Sequence, residues 1–146
     1  MRIVFLDFDG VLIPMDGTTI SRKPAPSCIA VLNAITEQTG AQIVISSSWR
    51  HTGSIDELRA MLRGWGVRAT VIGKTPAIHS VDVTRGQEIA AWLKANRDGV
   101  ECFAILDDDS EMRPLSAYHV RTEKKLGLIK ADADRAIELL TLPVAV

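Results

Sequence analysis

The chain has 146 residues, 47% of them hydrophobic and 24% charged, and a formal net charge of −1. That length suits one domain with one core, since two halves would each bury too little surface to stand alone. The near-neutral balance excludes a global basic field for nucleic acid, though not a local patch, and the longest apolar runs, such as residues 43–45, exclude a membrane span of roughly 20 residues.

A mean hydropathy of +0.12 is then best explained by a parallel sheet covered on both faces. The apolar stretch before Asp7 is too short for the core of a signal peptide. Cys28 and Cys102 lack metal-ligand spacing and read as buried thiols in a reducing compartment. The expected location is the cytoplasm.

Residues 2–6 form a short β-branched strand that stops at Asp7 and Asp9. Residues 13–25, which include Pro14, Gly17 and Pro24, read as a surface loop or small β-flap. Ile29, Val31, Leu32 and Ile35 recur at helical spacing over 26–39, and Gly40 is a plausible stop. A strand over 42–46 ends in serines. Ser54 followed by Glu57 is a capping-box pattern for a helix reaching about residue 63, with Gly64 and Gly66 ending it. A strand over 67–72 and a loop over 73–83 follow. The pattern of Ile89, Ala90, Trp92 and Leu93 predicts a helix over 85–96. Strands over 102–106 and 118–121 and a helix over 130–140 complete the chain. The alternation predicts an α/β, Rossmann-like three-layer sandwich with a mostly parallel five-stranded sheet in a single domain, 1–146.

In such sheets ligands bind beyond the carboxyl ends of the strands. Here one strand ends in Asp7 and Asp9, another in Ser46, Ser47 and Ser48, and a third in Asp107, Asp108 and Asp109. Acids crowded at one sheet edge repel and are costly to desolvate. A hard divalent cation removes the conflict, and Mg²⁺ suits a few carboxylates plus substrate phosphate. Asp7 and Asp9, two apart on extended chain, point the same way, so one can attack a phosphoryl group while the other handles protons. Ser47 offers a hydroxyl, and Arg85 a permanent cation at the start of a helix.

At this point the chain resembles the haloacid dehalogenase superfamily of phosphohydrolases. The residues that carry the resemblance are Asp7-Phe8-Asp9-Gly10-Val11-Leu12, the hydroxyl ending Ile43-Val44-Ile45-Ser46-Ser47, and Ile105-Leu106-Asp107-Asp108. The resemblance implies that Asp7 is nucleophile and metal ligand, and that Asp9 is the general acid and base with its carbonyl also on the metal. Asp107 and Asp108 would complete a Mg²⁺ site. Asp109 is read as an outer acid or as a cap for the next turn. The hydroxyl is Ser46 or Ser47; spacing from Gly40 favours Ser47. The phosphate-binding cation is Arg85 or Lys74; the context Arg85-Gly86-Gln87-Glu88-Ile89 favours Arg85. Gly10, Ser46, Ser48, Arg50 and Lys74 are candidates for substrate contact.

Residues 13–25 and 49–83 are too few for the family's cap domains, so the chain looks like a capless member with an open site. Ser47-Ser48-Trp49-Arg50 is similar to the phosphatase domains attached to nucleic-acid repair proteins. The expected activity is hydrolysis of a phosphomonoester through an aspartyl-phosphate, the substrate being a small molecule or a nucleic-acid end, with no membrane partner. Trp49, Arg50 and His51 read either as a stacking and phosphate-gripping lip for a nucleotide or as a partly buried Trp49 closing the helix start beside a solvated Arg50; the second is favoured for Trp49 and His51, the phosphate grip for Arg50. Trp65 and Trp92 read as core, His79 and His119 as lone histidines without zinc-ligand partners, and Lys124-Lys125 as a surface pair. The rivals are a phospho-accepting signalling domain, whose order of acidic motifs differs, a non-catalytic binding domain, and a phosphotransferase, which would need water kept out.

Overall fold

The computed structural model describes residues 1–17, 23–78 and 82–142. Strand β1 (Arg2–Leu6) leads to helix α1 (Pro26–Thr39), strand β2 (Gln42–Ile45), a 3₁₀ turn (Ser48–His51), helix α2 (Ile55–Trp65) and strand β3 (Val71–Lys74). Helix α3 (Arg85–Asn96), strand β4 (Cys102–Asp107), strand β5 (His119–Arg121) and helix α4 (Lys130–Thr141) follow. The sheet order is β3-β2-β1-β4-β5, and all four strand pairings are parallel.

The helix ends follow local chemistry. Pro26 opens α1, and Gly40, left-handed at φ 71°, closes it by donating its N–H to Thr36. Ser54 and Glu57 cap α2 reciprocally, and Thr84 and Gln87 do the same for α3.

Alternation along β1 divides the core in two. Val4 and Leu6 pack with Ile43, Ile45 and the apolar faces of α1, α2 and α4. Ile3 and Phe5 pack with Val44, Phe103, Ile105 and Ile89 of α3 on the other side. Connections from the central β1 run toward β2, while β4 lies on its other flank, so the strand order switches direction between β1 and β4. A crevice opens at such a switch point, beyond the carboxyl ends.

Some boundaries differ from the sequence reading. The third strand begins at Val71, not 67, because Val67 closes α2: its N–H bonds to Leu62 and its side chain is buried. Gly64 does not end α2 but lies within it, and the helix stops at Trp65 before Gly66. Tyr118 belongs to a 3₁₀ turn (Ser116–Tyr118) with its ring 4.2 Å from that of Phe103. Among the described residues no cap domain is inserted between strands. Of the 13–25 loop, Met15 and Ala25 are tied to Lys124 and Leu12 through their backbone N–H groups, while residues 18–22 lie outside the described residues. His79 does too. Cys28 and Cys102 are buried free thiols.

Candidate active site

The carboxyl end of β1 runs into a tight loop. Phe8 accepts the N–H groups of Val11, Leu12 and Ile13 on its carbonyl, and Gly10 donates to Ile13. Gly10 sits at φ 77°, where side chains are strained, and a Cβ there would lie 2.4 Å from Asp108 Oδ2. Its part in the site is therefore to let the Asp108 carboxylate approach the β1 loop.

Asp7 and Asp107 continue adjacent strands, Asp7 donating its N–H to Leu106. Both are buried. Arg85, the first residue of α3, stands between them: its Nη1 is 2.9 Å from Asp107 Oδ2 and 3.2 Å from Asp7 Oδ1. Asp7 Oδ1 also accepts the Phe8 N–H, and Asp107 Oδ1 that of Asp109. Gly86 brings Arg85 there, because α3 packs so closely on Met112 and Arg113 that a Cβ would lie 2.5 Å from their carbonyl oxygens.

Carboxylate oxygens of Asp7, Asp107 and Asp108 lie within 4.8 Å of one another. Burial, then the charge of Asp107, raises Asp7 to a pKa of about 8, against the pull of Arg85. Burial also raises Asp107, with Arg85 opposing. Burial pulls Arg85 down, but the charges of Asp107 and Asp7 outweigh it and hold the guanidinium protonated. One arginine thus leaves the carboxylates uncompensated, and the all-oxygen donor set fits a hard divalent cation.

These residues face an open pocket of about 340 Å³, which Asp9, Ser48, Asp109, Met15 and Lys124 also line. A larger cleft of about 520 Å³ beside α3 is mainly apolar and remote from the carboxylates, so size does not mark the site. Asp109 is engaged in the turn that follows, accepting the Glu111 N–H.

The serines divide. Val44 shares a core face with Phe5 and Ile105, and two residues on from each stand Ser46, Asp7 and Asp107, on that same face. The Ser46 N–H continues the ladder to Leu6, and its Oγ is buried with no hydrogen-bond partner among the described residues. Ser47 departs from its expected place: its Oγ is buried and accepts the Trp49 N–H, capping the 3₁₀ turn. Ser48 is exposed at the pocket.

Arg50 corrects the sequence reading. It is not a phosphate grip but a buried brace, donating to the carbonyls of Ser46 and Ser47 and pairing with Glu88 at 2.8 Å. Lys74 donates to the Arg50 carbonyl and does not line the pocket, whereas Arg85 does.

Two residues were undervalued by sequence. Trp49 donates its indole N–H to Asp9 Oδ2 at 3.0 Å while its ring packs edge-on against Phe8 and Trp65. Lys124, exposed as expected of a surface residue, also lines the acidic pocket. His119 Nε2 lies 2.9 Å from the Asp107 carbonyl. Arg59 and Arg68 pair with Asp56 and Glu37 at the surface, as a solvated face would. No helix among the described residues is long and apolar enough to cross a membrane.

A family model described as the HAD domain in Swiss Army Knife RNA repair proteins matches residues 3–133. No curated protein and no solved structure matches the chain.

Proposed function

The chain belongs to the HAD domains of Swiss Army Knife RNA repair proteins, and on that premise we propose that it is a Mg²⁺-dependent phosphatase that removes a terminal phosphate from a polynucleotide end through an aspartyl-phosphate on Asp7. Phosphatase-type chemistry comes with the family. The observation that carries the finer reading is the cluster of Asp7, Asp107 and Asp108 oxygens with Arg85 beside it.

Asp7, Asp107, Asp108 and the Asp9 carbonyl would hold Mg²⁺, which supplies charge neutralisation for the carboxylates and for the phosphoryl oxygens. Asp7 Oδ1 is occupied by Phe8 and Arg85, so its other oxygen forms the bond to phosphorus as the phosphorus–oxygen bond of the leaving group breaks. Asp9 gives its proton to that leaving oxygen. Asp9, now ionised, takes a proton from water, whose oxygen attacks phosphorus and frees Asp7 and inorganic phosphate. Arg85 and the Ser46 hydroxyl bind phosphoryl oxygens. Trp49 holds Asp9 in place.

The test is phosphate release with Mg²⁺ from p-nitrophenyl phosphate, nucleotides, sugar phosphates, phosphopeptides and 3′- or 5′-phosphorylated oligonucleotides, with Asp7→Asn alongside. Release that favours oligonucleotide ends and vanishes in the variant supports the reading. Residual turnover in Asp7→Asn sinks the covalent step, and preference for a small metabolite sinks the polynucleotide substrate.

A further inference from the structure

Beside the catalytic pocket lies a second cleft of about 460 Å³, lined by Asp108, Arg121, Thr122, Glu123, Lys124 and Lys125. It shares Asp108 and Lys124 with the catalytic pocket. Arg121 is the register partner of Asp107 on the neighbouring strand. Arg121, Lys124 and Lys125 are exposed, and among the described residues none of the three forms an ion pair, although the chain as a whole carries a net charge of −1.

The turn that presents these cations is pinned to the nucleophile loop. Thr122 Oγ1 donates to the Gly10 carbonyl at 2.7 Å, the Leu128 N–H to Val11, and the Met15 N–H to Lys124. Gly127, at φ 68°, sits so close that a Cβ would lie 2.6 Å from the Val11 oxygen. Backbone anchored in this way holds the turn that bears the cations beside the loop after β1, which a solvated basic loop would not need.

A cation in the acidic pocket would satisfy the carboxylates and leave these three charges for an anion other than the phosphoryl group being hydrolysed. We propose that turn 121–125 is a subsite for a second phosphate on the substrate's leaving group, read by Arg121, Lys124 and Lys125; this rests on the phosphatase reading above. The substrates are then molecules with at least two phosphates. A polynucleotide end supplies the second as a phosphodiester, and a nucleoside bisphosphate supplies it as a monoester.

The test compares kcat/KM, with Mg²⁺, for p-nitrophenyl phosphate, nucleoside monophosphates, nucleoside 3′,5′-bisphosphates and end-phosphorylated oligonucleotides. The proteins are the wild type, Arg121→Gln/Lys125→Gln, and a charge-matched control, Lys94→Gln/Arg97→Gln, altered at the remote α3 cleft. In the first variant the preference for two-phosphate over one-phosphate substrates should fall at least tenfold, through KM, and the control should keep it. If the second phosphate is a phosphodiester, the loss is larger on oligonucleotides, and the salt dependence of their KM becomes shallower by about one per cation removed. An unchanged preference overturns the subsite while leaving the phosphatase reading intact. If the wild type hydrolyses none of the substrates, that reading fails separately. Titration of the same bisphosphate and oligonucleotide into each protein then decides the subsite: weaker binding in Arg121→Gln/Lys125→Gln alone supports it, and equal binding overturns it.

Discussion

Trp49 donates its indole N–H to Oδ2 of Asp9 across 3.0 Å, joining the turn after β2 to the loop after β1. The indole is itself wedged edge-on between Phe8 and Trp65, with ring centroids 5.7 Å from each. Packing thus fixes the donor, and the donor fixes the carboxyl group.

Trp49→Phe keeps most of that ring contact and deletes the donor. A hydrogen bond contributes about 0.5–1.5 kcal/mol net, and misplacing a catalytic group by about 1 Å costs around a hundredfold. The expected outcome is a fall in kcat of tenfold or more with KM little changed and the melting temperature within a few degrees of wild type. Unchanged kcat would show that Asp9 needs no such support.

Stability should respond to pH through Asp7. Its carboxyl is raised from 3.8 to about 8 in the folded protein, so between those values the folded chain holds a proton that the unfolded chain has lost. Stability therefore falls as pH rises across that window and levels off above it. Differential scanning fluorimetry of the metal-free protein should show this decline, and Asp7→Asn should blunt it. If the cluster binds Mg²⁺ as proposed, the metal favours its ionised form, so the melting-temperature gain at millimolar Mg²⁺ should grow with pH. A gain that shrinks with pH would contradict this assignment of the charge conflict.

The Arg50–Glu88 pair should matter to stability. Its side chains are only 5% and 13% exposed, and removing one partner strands the other charge, at a cost of about 3–5 kcal/mol. Arg50→Met should lower the urea midpoint accordingly, whereas Lys74→Met, whose lysine is exposed, should cost far less. Equal effects would mean that Arg50 is no brace.

Gly10→Ala introduces a Cβ 2.4 Å from Asp108 Oδ2 at φ 77°. The carboxylate must move, and Mg²⁺ affinity measured by calorimetry should drop by about 10–100-fold, the range for disturbed ligand support. Gly64→Ala is the contrast. It meets nothing within 4 Å inside α2, so stability should rise by about 0.5–1 kcal/mol.

The sheet and the carboxylate cluster were legible because they rest on local signals: apolar runs ending in Asp7, Ser46 and Asp107, and caps at Ser54 and Gly40. What was misread depends partly on partners distant in sequence and partly on local choices that residue type does not report. Arg50 looks like an exposed grip until Glu88, from a different helix, neutralises it. Val67 has the residue type of a strand but is consumed in closing α2. Ser47 and Ser46 differ only in which face the strand turns them to, and the spacing from Gly40 does not report that. Lys124 lines the pocket only because the turn before Gly127 folds back on Val11.

The central position of β1 has a consequence for synthesis. Asp7 sits between β2, made soon after it, and β4, which begins at Cys102. A nascent chain emerging as far as α3 already carries Asp7, Ser46 and Arg85 but lacks Asp107 and Asp108. The cluster of Asp7, Asp107 and Asp108 oxygens cannot form until the fourth strand slots in beside the first, so on the proposed chemistry the growing polypeptide stays silent until its sheet is nearly finished.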